Sequence, residues 1–146
     1  MRLTSFTDYG LRMLMRMASA PERGFSTSEL AAEFGLSRHH LSKIMQRLSG
    51  AGIIVTRRGS GGGAMLARRA DSILLGQVVR VLEQGQTVAE DVAEGFEPDS
   101  ACAAGGTPSL QSRMRAAEAA FLADLDRSTL ADVALSPQII LEGAAS

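Results

Sequence analysis

Residues 36–52, LSRHHLSKIMQRLSGAG, decide how this chain folds. Leu41, Ile44, Met45 and Leu48 follow the i, i+3, i+4, i+7 spacing of one helix face. Ser37 stands where an N-cap hydroxyl belongs, and Gly50 and Gly52 close the run. The spacing therefore predicts a helix capped by Ser37. Opposite its apolar stripe lie His40, Lys43 and Arg47, and Arg38, His39 and Ser42 extend the polar side at the N-terminal end. Such a helix is either an ordinary solvated surface helix or one built to lie against an anion, and its surroundings bear on the choice.

Upstream, Thr7 can cap a helix from about Asp8 to Ala20, with Leu11, Leu14, Met15 and Ala18 on one face and Pro21 beyond its end. Ser26 and Glu29 have capping-box spacing at the head of a short helix, and Gly35 suits the left-handed turn after it. Downstream the period changes. IIVTRR (53–58) and AMLA (64–67) are short β-prone segments joined by GSGGG, which is turn chemistry. Three helices with a tight turn between the second and third, followed by a hairpin, make a winged helix-turn-helix. The fold class is mainly α, with a two-stranded wing and a long C-terminal dimerisation helix. In this arrangement the third helix presents its N-terminal residues to base edges in the major groove. Arg57 and Arg58 fall at the hairpin tip beside Gly59, where arginine suits a narrow, strongly negative minor groove.

The organisation expected is a DNA-binding unit over 1–70, a connecting helix over 71–84, a loop over 85–107, a helical region over 108–135 and a tail over 136–146. On the connecting helix Leu75, Val78, Val79 and Leu82 share a face. Thr107 followed by Pro108 marks a helix start, and Leu110, Met114, Ala117, Phe121 and Leu125 then form a near-coiled-coil seam. That seam points to a partner helix.

Charge agrees with this division. Residues 1–70 hold eleven Arg and Lys against four Asp and Glu, a net +7, and residues 71–146 hold four against twelve, a net -8. A basic surface joined to an acidic remainder has nucleic acid as its usual partner. At 45% hydrophobic and 21% charged the chain has material for a core, and no apolar run nears the roughly 18 residues of a membrane span. Asp8, Arg12 and Arg16 interrupt what a secretory signal would need to keep apolar, so a cytoplasmic protein is expected. The single cysteine fits a reducing compartment.

Other chemistries find little here. His39 and His40 are neighbours, about 100° apart around a helix, and are poorly placed to share one metal. GSGGG lacks the Lys-Ser/Thr ending of a P-loop. No His, Asp or Ser constellation surrounds Cys102, so catalysis is not expected.

MRLTSFTDYGLR at the start, GLSRHHLSKIMQRL, the RGxxGGxxL pattern of Arg58 to Leu66 and FLADLDRSTLADV (121–133) together resemble the Rrf2 family of winged-helix regulators, and most closely its NsrR-like branch. The resemblance covers nearly the whole chain. It implies a transcription regulator, a repressor in the reading it favours, that binds a palindromic double-stranded DNA operator as a homodimer. It implies also that Arg58 enters the minor groove. Family members that sense through iron-sulfur clusters carry three cysteines in the loop before the dimer helix. Counted back from Phe121, Cys102 takes the middle place, while the outer places fall near Gly95 and at Pro108. Asp8 matches an acidic position that in some relatives reaches across the dimer as a ligand, but the reading it favours is an acid placed in the first turn of a helix by the dipole. One thiolate and one carboxylate make a poor cluster site, so no cofactor and no metal are expected, the alternative being an iron-sulfur cluster. Three readings of Cys102 stay open: a small residue without a role, a redox-reactive thiol or intersubunit disulfide, and a remnant ligand. The alternative to a simple repressor is a thiol-redox or protein-interaction regulator using Cys102 or this loop.

Overall fold

The computed structural model describes residues 2–84 and 109–134. The expected loop, Cys102, Thr107, Pro108 and the tail lie outside the described residues.

Helix α1 spans Ser5–Ala18, α2 Thr27–Phe34 and α3 Arg38–Gly50; strands β1 (Ile54–Arg57) and β2 (Gly63–Leu66) follow, then α4 (Leu75–Leu82), α5 (Leu110–Leu125) and α6 (Leu130–Val133). The two strands are antiparallel and run in register from Ile54 opposite Leu66 to Arg57 opposite Gly63. This is the winged helix-turn-helix that the spacing predicts.

Helix α3 forms as read. The Ser37 hydroxyl accepts from the backbone amide of His40 at 3.1 Å, and Leu41, Ile44, Met45 and Leu48 are its buried residues. The turn before it is made by Gly35 at φ 64°, a left-handed conformation that glycine adopts without steric cost.

Helix α1 departs from expectation at both its cap and its phase. Thr4, not Thr7, is the N-cap, and its hydroxyl accepts from the amide of Thr7 at 3.2 Å. Thr7 is buried, with its hydroxyl hydrogen-bonded to that of Thr4 at 3.1 Å. The buried stripe is Met13, Leu14 and Met17, whereas Leu11, Met15 and Ala18 pack at the core's edge. The segment LRMLMRM carries two overlapping apolar stripes, so local period cannot choose between them. Packing does: Gly10 faces the side chains of Leu82 and Ile44, and this close approach turns the Gly10, Met13, Leu14, Met17 side toward α3 and α4.

The C-terminal region docks back on this unit. Leu130 donates to the Ile73 carbonyl at 2.8 Å and is itself fully buried, and the amide of Leu75 donates to the Ser128 carbonyl at 3.0 Å. Helix α5 is capped by Ser109, whose hydroxyl accepts from the amide of Ser112, so its first helical residue is Leu110. The helical region breaks after Leu125, and Thr129 with Asp132 forms a capping box that starts α6. None of the residues of α5 is buried, and Leu110 is 61% exposed.

Candidate nucleic-acid interface

The elements that carry cations are set by the core beneath them. Leu41, Ile44 and Leu48 are fully buried, which fixes the rotation of α3 and turns Arg38, His39 and Lys43 to solvent. The N-cap Ser37 is also exposed, with its oxygen committed to the helix start. Beyond α3, Gly52 at φ 71° lets Ile53 and Ile54 enter the core, and β1 then emerges so that Arg57, Arg58 and Gly59 are exposed at the wing.

The polar stripe of α3 divides into two sides. His40 is half-buried, stacked on Phe6 with ring centroids 6.0 Å apart and edge-on to Tyr9 at 6.2 Å. Arg47 donates to the Leu82 carbonyl at 2.9 Å, and its guanidinium lies 4.9 Å from the Phe6 ring centre. The α1-facing side of the stripe is thus held by α1 and α4. Arg38, His39 and Lys43 remain on the open side.

Ion pairing separates the cations of the basic half more sharply than exposure does. Arg12 pairs with Asp8, Arg16 with Glu33, Arg23 with Glu29 and Arg69 with Asp71. Arg68 donates to Gln77 and to the Ser72 carbonyl. Arg38, Lys43, Arg57 and Arg58 have no hydrogen bond or ion pair to a described residue, a condition shared in this half only with Arg2 near the N-terminus. Exposed cations on one helix and one wing, without an ionic partner among the described residues, give this surface a positive potential.

Three features of this surface escape a reading of periods and caps. Phe25 forms an isolated antiparallel bridge with Ala64, adding a third strand position to the wing's inner edge. Arg16 and Arg23 cover its ring at 4.8 and 4.5 Å from the centroid. The N-terminus is joined to the end of α4, because the amide and hydroxyl of Thr4 donate to Glu83 Oε1 at 2.9 and 2.8 Å. Phe25 itself has a sequence signal, since it precedes the Ser26 cap and Leu30 sits at the fourth helical position, but that hydrophobic-staple spacing pairs Phe25 with Leu30 and not with Ala64.

As a metal centre the residues fit badly. Among the described residues no three His, Cys, Asp or Glu side chains gather, the Asp8 carboxylate is engaged by Arg12 at 2.9 Å, and the whole chain offers one cysteine.

A helix-turn-helix with exposed cations on its second helix and on a glycine-rich wing is the architecture of a DNA-binding domain. The chain matches, over residues 3–135, the model of the Rrf2 family, described as iron-dependent transcriptional regulators, and it belongs to that family. Solved structures agree. CymR (YrzC), the global cysteine regulator of B. subtilis, is 25% identical with a TM-score of 0.68, over 92% of this chain and 96% of that one. Staphylococcus aureus CymR in its oxidized form is 27% identical with a TM-score of 0.67 over the same shares. T. potens IscR is 25% identical with a TM-score of 0.67, over 99% of this chain and 88% of that one. The protein is a DNA-binding transcription regulator.

Proposed function

We propose that the protein is a repressor that binds a palindromic operator as a homodimer, without catalysis and without a resident iron-sulfur cluster. The observation that carries the DNA reading is the set of exposed cations at Arg38, Lys43, Arg57 and Arg58, none of them paired with a described residue. In this reading Arg38 and His39 meet base edges, with His40 at the inner margin. Lys43 and Arg57 meet phosphates, Arg58 enters the minor groove where Gly59 lets the backbone come close, and Arg47 braces α3 from behind.

The dimer reading is supported by α5, a 16-residue helix without a buried residue that carries the Leu110, Met114, Ala117, Phe121, Leu125 seam. A two-fold partner would cover the same stripe on both copies. The cluster-free reading is supported by the donor set, one thiol and an ion-paired carboxylate, against the several thiolates such clusters require. Among the described residues no helix is long and apolar enough to cross a membrane, which accords with a cytoplasmic regulator. Selection of bound duplexes from a random pool tests the whole reading. A two-fold symmetric site is expected, and a single unrepeated half-site would contradict it.

A second reading is favoured by the solution of a 27% identical relative in an oxidized form. In it Cys102 is a thiol sensor. Diamide or peroxide then weakens operator binding by the wild type and leaves Cys102→Ser unaffected. Equal response of the two proteins would rule the thiol out.

A further inference from the structure

The wing is useful for readout only if its arginines are held at a fixed spacing from α3, and the hairpin alone does not supply that reference. The reference lies in the segment between α1 and α2. The amide of Phe25 donates to the Ala64 carbonyl at 2.8 Å, and the amide of Ala64 donates to the Phe25 carbonyl at 2.7 Å. Phe25 is fully buried beneath the guanidinium groups of Arg16 and Arg23, which are paired in turn with Glu33 and Glu29 of α2. The inner edge of the wing is therefore fastened to both α1 and α2.

Gly24 is where this anchor meets the wing's turn. A Cβ there would lie 2.6 Å from the Gly62 carbonyl oxygen, 2.8 Å from its carbon and 3.0 Å from the Gly61 carbonyl oxygen. All three are backbone atoms, so no side-chain rotation can relieve the clash. Gly24 is not in the left-handed region, unlike Gly59, Gly61 and Gly63. Its backbone conformation would admit other residues, and closeness alone demands glycine. The turn it touches is short and self-bonded: the amide of Gly62 donates to the Gly59 carbonyl at 3.0 Å, directly after Arg57 and Arg58. A push on Gly62 is thereby carried to the arginines.

We propose that Gly24 is a positioning residue for operator readout, setting the wing's distance from the helical scaffold and hence the depth at which Arg58 meets the minor groove. The inference rests on the wing reading given above, and the experiment separates the two.

Gly24→Ala and Arg23→Gln are each made in the wild type and in an Arg58→Ala background. Affinity is measured on the selected operator and on one whose wing-facing A·T pairs are replaced by G·C. Arg58→Ala is expected to weaken binding about tenfold and to narrow the difference between the two duplexes. Gly24→Ala should weaken binding about fivefold, narrow the same difference and leave α3-facing base preferences intact. In the Arg58→Ala background its effect should fall below about twofold, because residues acting through one contact are not additive. A loss equal in both backgrounds would mark Gly24 as merely structural and overturn the inference. Should Gly24→Ala fail to fold, Arg23→Gln decides. Its side chain is about half exposed, and it should show a loss of about twofold that vanishes with Arg58. No loss, or an additive one, overturns the proposal. If Arg58→Ala itself changes nothing, the wing reading fails instead.

Discussion

Arg38 and Arg47 sit on one helix and carry the same charge, yet their surroundings give them different work. Arg38 makes no hydrogen bond or ion pair to a described residue, whereas Arg47 closes a hydrogen bond to the Leu82 carbonyl and covers Phe6. Arg38→Ala should leave the urea midpoint unchanged and relax base preference in the major groove, by the about 1–3 kcal/mol that a bidentate bond to a base supplies. Arg47→Ala should lower stability by about 1 kcal/mol, since a charge-assisted bond and the packing on a ring go together. Parallel melts and binding titrations check both, and a destabilised Arg38→Ala would mean that its side chain has a partner within the protein. Ser37→Ala tests the helix start beneath them. Removing the cap should cost about 1 kcal/mol.

At the scale of elements, the junction of α4 with α5 is close packed. A Cβ on Gly76 would meet the Asp126 carboxylate and lie 2.6 Å from the Leu122 carbonyl oxygen. Gly76→Ala should therefore destabilise by about 1–3 kcal/mol, as overpacking does, read in the urea midpoint. Arg80 grips Asp126 with two hydrogen bonds, 3.0 and 2.6 Å, and this holds the Asp126 carboxyl below its ordinary range. A depressed carboxyl adds stability that is fully present above its unfolded value, about 3.9, and is lost as pH falls through the folded value. The urea midpoint should fall as pH drops below about 4, and Asp126→Asn should flatten part of that fall. An unchanged acid limb in the variant would show that the pair does not couple to folding.

The elements also mark what a sequence can carry. Helix α3 is legible from cap to end because its signals are local: one hydroxyl, one unambiguous apolar stripe and closing glycines. Helix α1 takes a phase that its sequence leaves open, because LRMLMRM offers two stripes and α3 and α4 select between them. The cap of α5 sits at Ser109 because any Ser or Thr near a helix start competes for that place, and only the backbone decides. The bridge of Phe25 to Ala64 joins residues 39 apart in the chain, and the hydrogen bond of Arg47 to Leu82 joins residues 35 apart. No period or motif reports such pairings. The arginines themselves are visible in the sequence; which of them are already occupied is not.

At the scale of the whole molecule, the proposed operator recognition involves a second copy of the chain, held through the exposed face of α5. Asp substituted at both Met114 and Phe121 would place charges in the α5 seam and should yield monomers that bind DNA poorly. Sedimentation of this double variant as a dimer would refute the seam. The basic half, +7 in residues 1–70, faces the operator twice in such a dimer. If about six to ten phosphates are neutralised, log K should fall against log salt with a slope of about -5 to -9. That slope, taken by fluorescence anisotropy on a selected operator from about 50 to 200 mM salt, is the decisive measurement for DNA binding through this surface. The expected value lies in that range, and it should become shallower by roughly one for each phosphate left without its cation when Lys43 or Arg57 is changed to Ala. A slope near zero on every duplex, unaltered by those substitutions, would contradict DNA binding by the cations of α3 and the wing.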